Sequence, residues 1–118
     1  MRPKARAKDR DEGGALFEAI ALRFTGRPGI THARMFDATV LKFRGKIFSM
    51  LVKGNLVVKL PRERAAALAA SGTAQPFDPG HGRVMRQWAV IRPTDLEEWR
   101  DLVREAQAFV ASDAQQRA

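Results

Sequence analysis

The chain has 118 residues, a formal net charge of +8 and no cysteine. This length predicts a single domain that buries enough surface to fold without a disulfide or a metal, and the missing cysteines exclude zinc thiolate sites and thiol chemistry. We expect a cytoplasmic protein with no membrane partner, because no apolar run reaches the ~20 residues of a membrane span.

The positive charge is concentrated in the first half of the chain. Residues 1–64 hold 15 Lys and Arg against 6 Asp and Glu, whereas residues 65–118 hold 6 against 7. Such a surplus attracts phosphate backbones or acidic protein surfaces, and it also serves solubility. Residues 1–12 carry five cations at alternate positions and no apolar side chain larger than Ala after Met1, so they predict a disordered basic tail.

The first half then predicts a helix followed by hairpins. Apolar residues at helical spacing predict a helix over 14–25, which ends at Gly26. Three runs rich in Val, Ile, Leu and Phe follow, at 39–43, 47–52 and 56–60. Short connections that contain Gly45 and Gly54 separate them, and this pattern predicts an antiparallel meander. The segment 32–36 is a candidate for one more strand.

The second half predicts a helix, a strand and a helix. Pro61 opens a helix over 62–70, residues 73–83 read as a loop, and 84–91 alternate as a strand. Thr94 and Glu97 form a capping-box pair before an amphipathic helix over 95–111. The prediction is one α+β domain over 13–112 in α-βββ-α-β-α order, an antiparallel β-meander sheet packed by helices, with a frayed end at 113–118.

Catalytic signals are weak throughout the sequence. His32 and His81 stand far apart without metal-ligand spacing, and Ser49 and Ser71 lie in no nucleophile elbow. The acidic residues after Thr94 complement a helix dipole. We therefore predict no enzyme activity, no catalytic residue, no metal site and no cofactor.

A basic surface is the strongest binding signal. We predict contact with nucleic acid or with a partner through the cations of the meander and the later strand, namely Lys42, Arg44, Lys46, Lys53, Lys59, Arg83 and Arg86. A basic sheet with aromatic residues can bind single strands by stacking and charge. Phe43, Phe48 and Trp88 do not form that arrangement, and most aromatic residues are expected in the core.

Five short motifs together resemble a known family. The chain is similar to the TfoX (Sxy) N-terminal domain family, in particular to short stand-alone, YjbR-like members, at Met35-Phe36, Gly45-Lys46-Ile47-Phe48, Lys59-Leu60-Pro61, Pro76-Phe77-Asp78-Pro79-Gly80 and Met85-Arg86-Gln87-Trp88. The resemblance covers about residues 14–111. Asp37-Ala38 stand where the family usually has glycines.

The resemblance implies a compact α+β domain with an antiparallel sheet packed by helices, and it carries no catalytic residues. The named family members regulate natural competence as transcriptional coactivators and have a second domain, for which this chain is too short. We expect a regulatory or adaptor module that binds a protein partner, with a homodimer as one form. The alternatives are direct nucleic-acid binding through the tail and the meander, and a small-ligand protein or enzyme with an unrecognised site.

Overall fold

Nine elements follow one another in a single α+β domain. The computed structural model describes residues 7–35, 38–78, 80, 82 and 84–117, with side-chain surroundings from residue 12 to residue 112 except for Met35. The elements are α1 Ala7–Phe24, β1 Ile30–Met35, β2 Ala38–Phe43, β3 Lys46–Val52, β4 Asn55–Lys59, α2 Arg62–Ala70, β5 Gln75–Phe77, β6 Met85–Ile91 and α3 Leu96–Arg117.

The six strands form one antiparallel sheet in the order β1-β2-β3-β4-β6-β5. Strands β2 to β4 form the predicted meander, and β1 extends it by one strand. Residues 32–35 of the candidate segment at 32–36 belong to β1, and Phe36 lies outside the described residues. After α2 the chain adds β5 at the far edge and returns with β6 between β5 and β4. This return places Lys59 of β4 directly beside Trp88 of β6.

Two tight hairpin turns fix the register of the meander. Arg44 and Gly45 have φ values of 50° and 86°, and Lys53 and Gly54 have 53° and 83°. Positive φ at both central residues is the geometry of a type I′ turn, which matches the twist of the flanking strands. Glycine adopts this geometry freely, whereas Arg44 and Lys53 adopt it at a cost.

All three helices pack against the same face of the sheet. Their apolar side chains meet those of the strands in one core cluster, in which Phe17, Phe48 and Trp99 are fully buried. The indole of Trp99 also donates a hydrogen bond of 2.9 Å to the carbonyl oxygen of Arg92. A bulge between β2 and β3 lets the adjacent residues Phe48 and Ser49 both be buried.

The opposite face of the sheet has an apolar stripe of its own. Val40 and Val57 are buried but lie outside the core cluster, and Met50 lies between them in the register. Lys42 and Lys59 share this face, since each alternates along its strand with residues that point to the helices.

Two of the helices, α1 and α3, are longer than the sequence predicts. α1 begins at Ala7, so residues 7–12 of the predicted tail are helical, while residues 1–6 lie outside the described part. α3 continues to Arg117 through most of the predicted frayed end. Both extensions lack apolar residues at helical spacing, and they contain Ala, Lys, Arg and Gln, which favour helices intrinsically.

Two local predictions also need correction. Asp95 caps α3, because its carboxylate accepts a 2.8 Å hydrogen bond from the backbone N–H of Glu98, and Thr94 does not take this position. β5 was predicted as loop, since it has only three residues and contains Pro76. Proline is tolerated there because β5 is an edge strand, where a backbone N–H is not needed on the outer side.

Candidate partner-binding groove

Most of the predicted contact residues come together at one end of the sheet. Lys42 and Lys59 lie near that end of their strands, Arg44 and Lys46 lie at the β2–β3 turn, and Arg86 lies beyond the Lys59–Trp88 pair. Lys53 is at the β3–β4 turn, about 20 Å away along the seven residues of β3. Arg83 lies outside the described residues.

The cations at this end differ in their surroundings. The guanidinium of Arg44 lies 5.2 Å from the centre of the Phe43 ring. Phe43 in turn packs against the core. The ammonium of Lys59 lies 5.9 Å from the centre of the Trp88 ring. Both contacts fall within the range of cation–π attraction, so they hold these charges near the sheet.

Beside this end, α2 and the β5–β6 edge enclose an open groove of about 410 Å³. One wall is the alanine face of α2, formed by Ala65, Ala66 and Ala69. The other wall is formed by Gln75, Pro76, Val84, Met85, Arg86 and Trp88. The small alanine side chains leave this space open along the middle of α2, while Arg62 and Glu63 line it at the first turn of the helix.

The groove exposes large apolar side chains. Among the described residues, three large hydrophobic side chains are classed as exposed, and two of them, Val84 at 48% and Met85 at 42%, line this groove. The third is Leu22 on α1. A concave surface with exposed apolar side chains is typical of a binding site.

An irregular pairing of β6 places these residues. Pro76 pairs with Ala89, but the next residue, Phe77, pairs with Met85, so residues 86–88 have no partner on β5. The alternation predicted for this strand holds at its end, where Ala89 and Ile91 are buried and Trp88 and Val90 are half-buried. Met85 and Trp88 both line the groove. Neither is a buried core residue.

Positive charge surrounds the mouth of the groove. Arg62 and Arg86 line it. A second, shallow pocket of about 450 Å³ adjoins the groove and extends to Lys59. The two are both lined by Arg62, Arg86, Met85 and Trp88. Among the described residues of the two linings, Glu63 is the one acidic residue. Within the described residues, Arg62 and Arg86 make no ion pair and no side-chain hydrogen bond. Their donors are available to a carboxylate or phosphate.

The aromatic pair beside the groove is held in place from both sides. The Phe77 and Trp88 rings are tilted with centroids 6.4 Å apart, and Lys59 contacts Trp88 as described above. Trp88 is half-buried in this arrangement. It offers an apolar rim to the groove more than a free face for stacking.

Of the two histidines, the structure describes one. His32 is exposed on β1, and His81 lies outside the described residues. In the part of the chain that the structure covers, no three His, Asp or Glu side chains are grouped closely enough to hold a metal ion. Ser49 is fully buried, so its hydroxyl is out of reach of a substrate.

Comparison with models of protein families finds no match for this chain, and neither does comparison with curated proteins. Within the described residues, no helix has both the length and the apolar character that a membrane span requires.

The sequence indicated only part of this groove. Arg86 and Lys59 were predicted as contact residues, and Trp88 was noted, but Arg62, Val84 and Met85 were not identified as site residues. One local signal was available, since Val84-Met85 follows a Gly-rich loop and places two apolar side chains side by side. Their exposure depends on β5 and α2, which pack here through long-range contacts.

Proposed function

We propose that this protein is a non-catalytic regulatory or adaptor module, and that it binds an extended segment of a partner protein in the groove between α2 and β6. The segment that suits the groove carries an apolar side chain next to acidic residues. The apolar side chain enters beside Ala66, Val84 and Met85, and the acidic groups meet Arg62 and Arg86.

The exposure of Val84 and Met85 in one groove carries this proposal. Each apolar side chain that is fully buried on binding contributes about 1.5–3 kcal/mol, so one or two anchors supply much of the affinity of a short peptide. The unpaired arginines add charge-assisted hydrogen bonds and reject basic segments.

The shape of the site favours a peptide over a nucleic acid. The groove and the shallow pocket share four lining residues, so together they form one elongated surface from β5 to Lys59. Its alanine wall has no aromatic face on which bases could stack, and Trp88 is already in contact with Phe77 and Lys59.

Selection from a random peptide library tests the proposal. The full chain is the target. A counter-selection against the Met85→Asp variant removes peptides that bind outside the groove. We expect selected peptides to combine a large apolar residue with Asp or Glu, and to lose binding to Val84→Asp as well. Leu22→Asp, which changes the third exposed apolar residue, should leave binding unchanged. Selection of no Met85-dependent peptide, or of basic peptides, would contradict the proposal.

The resemblance to the TfoX N-terminal domain family is part of the same proposal. An α+β domain with an antiparallel sheet and helices on one face is compatible with what that resemblance implies. Membership itself rests on the five motifs. Of these, Phe36 and Pro79 lie outside the described residues, and Met85 and Trp88 line the groove.

Direct nucleic-acid binding is the second candidate function. The gathering of Lys42, Arg44, Lys46 and Lys59 at one end of the sheet favours it, because closely spaced cations can follow a phosphate backbone. A joint Arg44→Gln and Lys46→Gln variant should then weaken binding of single-stranded DNA and reduce its salt dependence, while Lys53→Gln should have a smaller effect. Salt-independent or undetectable binding would remove this candidate.

A further inference from the structure

A second cleft lies on the helix side of the sheet, between α1 and the edge strand β1. It has a volume of about 350 Å³, at the lower end of the size range of small-molecule sites. Its floor includes the buried ring of Phe17 and the half-buried side chain of Leu51. This cleft is separate from the groove between α2 and β6, since the two have no lining residue in common in the described part of the chain.

The two rims of the cleft carry opposite charges. Glu18 stands on the helix rim one residue after Phe17, and is exposed. His32 and Arg34 stand two residues apart on β1, and are also exposed. Their pairing with Leu41 and Thr39 places both on the helix side of the sheet. An acid therefore faces a guanidinium and an imidazole across an apolar floor.

These polar groups have no partners of their own. Among the described residues, Glu18, His32 and Arg34 make no ion pair and no side-chain hydrogen bond. Glu18 therefore forms no ion pair across the cleft with Arg34 or His32. Unpaired opposite charges above an apolar floor complement a ligand with the reversed arrangement of charges.

We propose that this cleft binds a small zwitterion whose ammonium and carboxylate groups are separated by an apolar chain. The ammonium group pairs with Glu18, and the carboxylate accepts hydrogen bonds from Arg34 and His32. The apolar chain crosses Phe17 and Leu51. Because the acid belongs to the helix and the guanidinium to the strand, a ligand with separated charges fits better than one with adjacent charges.

Titration of the ¹⁵N-labelled full chain with 6-aminohexanoate, followed by amide chemical shifts, tests this proposal. We expect saturable shifts for residues of α1 and β1 at millimolar ligand, and affinities about tenfold or more lower for hexanoate and hexylamine, which each lack one charged group. Glycine, whose charges are adjacent, should bind as weakly as these single-charge compounds.

Variants of the exposed rim residues provide the control. Glu18→Gln and Arg34→Gln should each weaken 6-aminohexanoate binding about tenfold or more, whereas Arg23→Gln, on α1 outside the cleft lining, should not. The double variant Glu18→Arg with Arg34→Glu should recover binding, because a zwitterion can bind in the reversed direction. Equal affinity for hexanoate, no recovery in the double variant, or no saturable shift would each overturn the proposal.

Discussion

Ser49 brings a hydroxyl into the core of an otherwise apolar cluster. The residue is fully buried, and its Oγ has no hydrogen-bond partner among the described residues. A buried donor without a partner costs about 1–3 kcal/mol. Ser49→Ala should therefore raise the free energy of unfolding, by about 1 kcal/mol, in urea denaturation. A loss of stability of similar size would show that the hydroxyl makes a hydrogen bond in the folded protein.

Two neighbouring glycines of α1 should respond oppositely to the same substitution. A Cβ on Gly13 would collide with the backbone of Gly54 in the β3–β4 turn, whereas a Cβ on Gly14 would meet open space. Gly14→Ala should stabilise the protein by up to about 1 kcal/mol through helix propensity. Gly13→Ala should lower the melting temperature, because α1 or the turn must shift. Equal effects of the two substitutions would contradict this packing.

At the level of single residues, the sequence predicted burial in the helices better than the local pairing of β6. The apolar stripe of α1 and the Trp99 face of α3 were predicted from spacing alone and are buried in the core. Simple alternation over 84–91 places Met85 and Trp88 on opposite sides of the strand, but it gives no sign of the irregular β5–β6 pairing at these residues. Such an irregularity depends on the partner strand, and periodicity within one strand does not contain it.

At the level of elements, the hairpin turns retain strain that a substitution can relieve. Lys53 adopts a φ of 53° in the β3–β4 turn, a conformation that costs an ordinary residue roughly 1–2 kcal/mol and that Asn tolerates better. Lys53→Asn should raise the stability by about 0.5–1 kcal/mol, measured by chemical denaturation. Gly54→Ala should lower it. An unchanged stability in both variants would mean that the turn has another geometry in solution.

The elements that were predicted correctly carry strong local signals. The helix over 62–70 matches α2 at both ends, since Pro61 fixes its start and Gly72 follows its end. The meander follows from two Gly-containing turns. β5 was missed because three residues around Pro76 have no periodicity, and its place at the sheet edge comes from pairing with β6. The groove could not be predicted without β5, because Gln75 and Pro76 of that strand form part of one wall.

Across the whole molecule, charge is divided between two regions. Most of the cations that the sequence singled out lie near the β2–β3 turn and the groove. On the other side, a shallow pocket between α2 and α3 is lined by Asp95, Glu97, Glu98, Asp101 and Glu105. A doubly hydrogen-bonded pair, Arg64 and Glu105, joins these helices, and hydrogen bonding to Glu105 raises the pKa of Arg64. Both side chains are more than a third exposed, so this pair adds little stability.

This division of charge should orient an acidic partner toward the groove during encounter. The identities of the cations were predictable from composition. The pairing of β4 with β6, which brings Arg86 close to Lys59, was not predictable from the sequence. We therefore expect association with an acidic peptide to slow when the salt concentration rises from about 50 to 200 mM, as stopped-flow fluorescence would show.

The central claim is that the groove between α2 and β6 is the binding surface. Its most direct test is the dissociation constant of a library-selected peptide, measured by fluorescence anisotropy on the full chain and on matched Arg86→Gln and Arg44→Gln variants. We predict that Arg86→Gln weakens binding about tenfold, through loss of a charge-assisted hydrogen bond, and that Arg44→Gln leaves it unchanged. Equal losses in the two variants would mean that diffuse positive charge binds the peptide, and would contradict the claim.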